Sequence, residues 1–196
     1  MIIGLTGKSC AGKDEVASIL SSFGYYVIDE DKLGHEALRA NRDSLISEFG
    51  EGILSDGEVD RKKLGSIVFS DPLKLKKLEA ISHPWMINET KRLAREAEKK
   101  GLIVVINAAI LARLSLDKIS DAIIFVDAPF SIRAKRAELR NGTKIEDFRK
   151  REENQEDIVS TFETFSGKIV KVINDGDKIT LYRQVKDYCD TILARG

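Results

Sequence analysis

Five short apolar runs, each rich in β-branched residues, constrain this chain more than any other feature: residues 2–5, 25–28, 102–106, 122–126 and 169–173. Runs that are apolar at consecutive positions suit strands buried on both faces, the condition of a parallel sheet. Apolar residues at helical spacing fill the intervals, as in Val16, Ile19, Leu20 and Phe23 after the first run and Leu181, Val185, Tyr188 and Ile192 after the last. Strand alternating with helix predicts an α/β fold with helices covering the sheet. Between the second and third runs lie roughly seventy residues with helical periodicity and turn signals such as Asp56-Gly57 and Asp71-Pro72, but no strand pattern. That is too long for a simple crossover, so a helical insertion is expected there. A chain of 196 residues suffices for one domain with a sizeable core, and no repeat, low-complexity tract or linker marks a second.

Lys+Arg and Asp+Glu both number 32, so no overall basic excess favours nucleic acid or anionic lipid, and any anion site has to be local. Cys10 and Cys189 lack metal-type spacing and read as free thiols of a reducing compartment. The longest near-apolar run, residues 102–112, is too short to span a bilayer, and no positive stretch precedes the N-terminal run, so a cytoplasmic protein is expected.

Such a local site is offered by Gly7-Lys8-Ser9-Cys10-Ala11-Gly12-Lys13-Asp14, which follows the first run and opens a helical pattern. It matches the phosphate-binding Gly-x-x-x-x-Gly-Lys-Ser/Thr loop except at the last position. In that setting main-chain amides and the positive helix end converge on phosphate oxygens, and Lys13 reaches the outer phosphates. A glycine-rich turn without a ligand is the plain alternative. Asp14 replaces the hydroxyl that normally helps hold Mg²⁺. Its carboxylate is also a hard oxygen donor, but it brings extra negative charge to a triphosphate, so it either tunes the metal or impairs it.

Further residues give the chain a resemblance to the dephospho-coenzyme A kinases over nearly its whole length. Val27-Ile28-Asp29-Glu30-Asp31 resembles the family's Asp-x-Asp; the insertion adds Phe49-Gly50, Asp56-Gly57, Asp60-Arg61 and His83-Pro84. The resemblance implies a three-layer P-loop kinase fold with a five-stranded parallel sheet. It implies a single domain over 1–196, with its core at 1–30, 101–130 and 166–196, a helical acceptor-binding insertion at about 31–100 and a helical lid at about 131–165. It further implies that Asp31 engages the acceptor's ribose 3′-hydroxyl and the metal, while Arg61 and His83 bind the acceptor. Without the resemblance, Asp31 is a helix N-cap for a segment starting at Lys32, Asp60-Arg61 a surface ion pair, and His83 the residue before a helix that starts at Pro84. His35 has no motif support and reads as an ordinary helix residue.

Residues 131–151 carry eight Lys/Arg against three Asp/Glu. Arg136, Arg140, Arg151 and Gln155 match the spacing of the family's lid helices, where guanidinium groups meet the transferring phosphate. The competing reading is a solvated helix face. Ile173-Asn174-Asp175-Gly176 is similar to the family's turn beside the adenine. The sequence departs from the family after the third strand. Asn107, Ala109 and Arg113 stand where an acid, a proline and a glutamate are usual, and Asp14 is expected to supply the charge that Asn107 lacks.

The expected activity is therefore phosphoryl transfer from Mg-ATP to dephospho-CoA. Lys13, Asp31 and Arg140 are the catalytic candidates. Lys8, Ser9, Cys10, Ala11, Gly12, Lys13, Asp14, Glu15, Arg136 and Asn174 are the ATP-binding candidates, and Asp14 and Asp31 face Mg²⁺. Another nucleoside-monophosphate-type kinase, or a catalytically weak ATP-binding regulatory module, are the rival readings; nucleic acid and membrane partners are not expected.

Overall fold

The computed structural model describes residues 1–153 and 165–193. In chain order its main elements are β1 (Ile2–Gly7), α1 (Lys13–Ser22), β2 (Tyr26–Asp29), α2 (Glu30–Ala40), α3 (Arg42–Phe49), β3 (Leu54–Ser55), β4 (Glu58–Val59), α4 (Arg61–Val68), α5 (Pro72–Lys99), β5 (Val104–Asn107), β6 (Ala122–Asp127), α6 (Phe130–Asn141), α7 (Ile145–Glu153), β7 (Lys168–Ile173) and α8 (Lys178–Leu193). The chain divides into two compact units, residues 1–28 with 94–196, and residues 29–93.

The larger unit is organised by a five-stranded parallel sheet in the order β2-β5-β1-β6-β7. Continuous apolar runs do mean burial on both faces in the interior of the sheet, where β5 and β6 are wholly buried and β1 nearly so. The edge strands differ. In β7 buried and exposed residues nearly alternate, leaving Ile169 and Ile173 each 37% exposed, and in β2 only Ile28 is buried. Against one face, α1 and α8 lay Val16, Leu20, Leu181 and Val185 on Leu5, Val105, Ile124 and Val126. Each such side chain contributes about 1.5–3 kcal/mol relative to leaving it exposed.

Register places the chemistry. Leu5 lies opposite Asn107, Gly7 opposite Val126, and Asp127 opposite Ile173. The carboxyl ends of β5, β1, β6 and β7 thus share one edge of the sheet, and the strand order departs in opposite directions from β1. That is the switch point at which open α/β sheets hold ligands.

The unit of residues 29–93 has its own apolar centre of Leu45, Ile53, Leu64 and Val68, with Phe49, Leu54 and Val59 packed around it. Two expectations are corrected here. The segment is not free of strands: β3 and β4 form a small antiparallel hairpin in which Asp56 (φ 51°) and Gly57 (φ 81°) make the turn. Positive φ at both turn positions is what a two-residue hairpin of right-handed twist requires. Nor does Pro84 start a helix, because α5 runs unbroken from Pro72 to Lys99. Its start is Asp71-Pro72, where the Asp71 carboxylate accepts from the Leu73 amide at 2.9 Å and proline takes the first helical position, which needs no donor.

Among the described residues no helix is long and apolar enough to cross a membrane. Gln155 lies outside the described residues.

Candidate active site

The Gly7–Asp14 loop sits where β1 hands over to α1, and side chains from other elements hold its main chain. A Cβ on Gly7 would lie 2.3 Å from the Val126 carbonyl oxygen; one on Gly12, whose φ is 96°, would lie 2.1 Å from Asn174 Nδ2. Both glycines are therefore required by close approach before any ligand is considered. Arg136 braces the loop from α6. Its Nη1 donates to the carbonyls of Cys10 at 3.3 Å and Ala11 at 3.1 Å, and its Nη2 donates to Asn174 Oδ1 at 3.0 Å. Asn174, itself 2% exposed, donates weakly to Glu15 Oε2 at 3.5 Å. With loop carbonyls turned onto a guanidinium, the loop's shape is fixed by permanent charge rather than by loop residues alone.

Lys13 begins α1 and donates from Nζ to Asn107 Oδ1 at 2.5 Å and to Asp14 Oδ1 at 3.3 Å. Asn107, 4% exposed at the end of β5, closes the triangle by donating from Nδ2 to the same Asp14 oxygen at 3.2 Å. The two positions at which the sequence departs from its pattern thus touch each other. Burial acts to raise the Asp14 carboxyl. The hydrogen bond from Asn107, the charge and hydrogen bond of Lys13 and the charge of Arg140 outweigh it, holding the group below its usual range. Asp14 stays ionised and exposed, and its contacts to Lys13 and Asn107 both fall on Oδ1. An ionised hard oxygen beside the Lys13 ammonium is a donor of the kind Mg²⁺ takes.

Lys8 faces acids: its Nζ is 3.7 Å from Asp127 Oδ1 and 4.0 Å from Glu152 Oε1. Burial acts to raise Asp127, but the 2.9 Å hydrogen bond from Lys171, the Ala128 amide and the Lys8 charge keep it below the ordinary carboxylate range. Arg140 is exposed near the end of α6, and Ser9 offers its carbonyl to Arg133 Nη1 at 3.5 Å.

In the unit of residues 29–93 the Asp-x-Asp segment resolves differently from the sequence expectation. The N-cap of α2 is Asp29, whose Oδ1 accepts from the amides of Asp31 at 3.0 Å and Lys32 at 3.2 Å. Asp31 is in the first turn with its side chain exposed, so capping does not account for it. Glu30 points inward at 2% exposure and meets Thr90 of α5, whose Oγ1 lies 2.6 Å from Glu30 Oε1. Burial raises the Glu30 carboxyl to about 7 against the opposing Thr90 hydrogen bond, with the Asp29 and Asp31 charges adding to the rise.

Asp60 is likewise a cap rather than Arg61's ion-pair partner, accepting from the amides of Lys62 at 2.8 Å and Lys63 at 3.1 Å. Arg61 instead lines a cavity of about 540 Å³ together with His35, Leu38, Arg39, Glu58 and Val59. His35 is therefore a pocket residue, contrary to its reading as an ordinary helix position. Its face is set by α2, which presents 35, 38 and 39 at i, i+3 and i+4. His83 lies in mid-α5, partly buried.

Sequence reasoning missed three residues. Arg133 is 1% exposed, donates from Nε to the Ala128 carbonyl at 2.9 Å, pairs with Glu152, and lies 5.9 and 5.8 Å from the ring centres of Phe130 and Phe148. Its signal was periodicity, since 130, 133, 134 and 137 share one helix face. Asp127 ends an apolar strand at the ligand edge, which is itself a signal. Glu30 gave none, because a glutamate between two aspartates reads as solvated.

The dephospho-CoA kinase family pattern matches residues 1–175. A dephospho-CoA kinase of Borrelia garinii subsp. bavariensis is 34% identical over 196 residues, 98% of this chain and 95% of the relative. Among solved structures, TT1252 from Thermus thermophilus has a TM-score of 0.77 at 31% identity, covering 97% of each chain. A dephospho-CoA kinase from Campylobacter jejuni has a TM-score of 0.73 at 22% identity, over 97% of this chain and 96% of that one, a likeness of fold. The matched stretch takes in the braced loop, the unit of residues 29–93 and the strand-end Asn174, and on that extent of similarity the chain belongs to the dephospho-CoA kinase family.

Proposed function

We propose that the protein transfers the γ-phosphoryl group of ATP to the ribose 3′-hydroxyl of dephospho-CoA, yielding coenzyme A and ADP. The carrying observation is the loop, a strand-to-helix turn with two sterically required glycines, braced by Arg136 and Asn174 and ending in Lys13. Residues 8–15 hold the ATP phosphates through main-chain amides and Lys13. Asp14 and Asp31 are the residues that would hold Mg²⁺, which when bound neutralises charge on the phosphates. Asp31 orients the acceptor hydroxyl and takes its proton as the new oxygen–phosphorus bond forms and the bond to ADP breaks. Arg140 stabilises charge on the group in flight. Arg61 and His83 bind the acceptor. Arg39 and Arg61, against the single acid Glu58, make the cavity they line suited to its anionic phosphates. Asp14 supplies the carboxylate that Asn107 lacks, a reading supported by their direct hydrogen bond. Cys10 and Cys189 are free thiols, as a cytoplasmic protein would keep them.

An ADP-release assay with Mg-ATP, run with dephospho-CoA and with a panel of nucleoside monophosphates, tests the proposal. Turnover with dephospho-CoA well above every nucleotide is expected. Turnover with a nucleotide instead would replace the acceptor, and ATP binding without any turnover would favour the regulatory reading that Asp14 and Asn107 suggest.

A further inference from the structure

Glu30 is the one acid of Asp29-Glu30-Asp31 to which neither capping nor the proposed chemistry gives a task. Asp29 caps α2, and Asp31 lies exposed in its first turn. Glu30 is 2% exposed, and its Oε2 is buried with no hydrogen-bond partner. Burying a carboxyl with an unmet oxygen costs stability, and an apolar side chain of the same size would be cheaper. A group kept at such a cost calls for a local reason.

The reason lies in how α2 meets α5. Glu30 Oε1 is 2.6 Å from Thr90 Oγ1, and Thr90 is fully buried. Four residues along α2, a Cβ built on Gly34 would be 3.7 Å from Met86 Cε, four residues back along α5. The pairs 30/90 and 34/86 therefore lie on one helix face each and run in opposite directions, so the two helices pack antiparallel along this seam. Glycine against a methionine methyl is a smooth, adaptable contact that tolerates sliding and rotation. A polar pair in an apolar seam does not tolerate them, because slippage leaves the buried Glu30 carboxyl without a partner, while the Thr90 hydroxyl keeps only the Met86 carbonyl of its own helix at 2.8 Å. Asp31 is the next residue after Glu30, so a rotation of α2 carries its carboxylate with it.

We propose that Glu30 is a positioning residue: its hydrogen bond with Thr90 fixes the axial register and rotation of α2 on α5 and thereby aims Asp31 at the acceptor hydroxyl. This rests on the reading of Asp31 given above. Misplacing a reacting group by about 1 Å costs on the order of a hundredfold in rate.

The test uses Glu30→Leu, Thr90→Val and Thr90→Ser in the full-length protein, with melting temperature and separate kcat and KM measured. Glu30→Leu is expected to melt no lower than the parent and Thr90→Val, which strands the buried carboxyl, somewhat lower; both are expected to lose about tenfold to a hundredfold in kcat with dephospho-CoA and to keep KM for ATP. Thr90→Ser retains the hydroxyl and is expected to keep kcat within about threefold, with the double variant Glu30→Leu/Thr90→Val no worse than the poorer single one. Parental kcat in both Glu30→Leu and Thr90→Val overturns the proposal, as does a Thr90→Ser variant as slow as Thr90→Val. Should Glu30→Leu fail to fold, the Val/Ser contrast at position 90 decides alone. Asp31→Asn is run alongside. If it is inactive while Thr90→Val is fully active, only the positioning role falls; if it is fully active, the reading of Asp31 falls.

Discussion

The phosphate loop and the unit of residues 29–93 are built on different principles. In the loop the proposed working groups are main-chain atoms, and side chains from distant strands and helices, Arg136 and Asn174 above all, shape them. In the unit of residues 29–93 the proposed working groups are side chains on first helical turns, Asp31 on α2 and Arg61 on α4, each preceded by an aspartate that caps its helix. A main-chain site fails when its shape fails. A side-chain site on a capped helix loses its chemistry while the fold survives.

Substitutions sharpen the contrast. The largest effect is expected from Asp31→Asn, a fall in kcat of about a thousandfold with ATP affinity by calorimetry unchanged; a matching loss of ATP affinity would erase the distinction. Gly12→Ala adds one carbon against Asn174 in a left-handed turn and should cost about a hundredfold in ATP affinity, roughly 3 kcal/mol, together with turnover. Arg140→Ala should lower kcat by about tenfold to a hundredfold with little change in KM for ATP, and a change confined to KM makes it a binding residue only.

Smaller effects come next. Asp14→Ser and Asn107→Asp should each weaken Mg²⁺ dependence, and the double variant should recover about 1–2 kcal/mol of that loss. A double variant no better than the worse single one breaks the exchange of charge between them. Glu30 offers a folding test. Its carboxyl is raised to about 7 in the folded protein from an ordinary value of 4.5, so folding binds a proton between these values. Its stability contribution is present at low pH and lost as pH rises through 7. Relative to Glu30→Gln, the metal-free parent should lose about 1–3 kcal/mol in denaturant melts between pH 5 and pH 8. A pH-independent difference would contradict a buried, proton-holding Glu30.

The same contrast explains what could be read from the residues. The loop was legible because main-chain chemistry leaves a mark in composition: Gly7 and Gly12 stand where a Cβ has no room. The interior strands were legible because burial on both faces makes them apolar throughout. The edges β2 and β7 are covered less completely, which a run such as 169–173 does not announce. The β3–β4 hairpin escaped because strands of two residues have no periodicity to detect. Pro84 suggested a helix boundary, yet a 28-residue helix absorbs one missing donor. In the unit of residues 29–93, Asp29, Glu30 and Asp31 look alike in sequence and are a cap, a buried carboxyl and an exposed one in space, a division set by the rotation of α2. His35 joins Arg61 at one cavity for the same reason, because tertiary placement and not local pattern brings the two helices' faces together.

The most direct measurement of the central claim is ³¹P NMR of the product formed from Mg-ATP and dephospho-CoA. A new phosphomonoester coupled to the ribose H3′, formed one for one with ADP, is the predicted result. ADP appearing without that monoester, or a phosphate carried at any other position, would contradict the account.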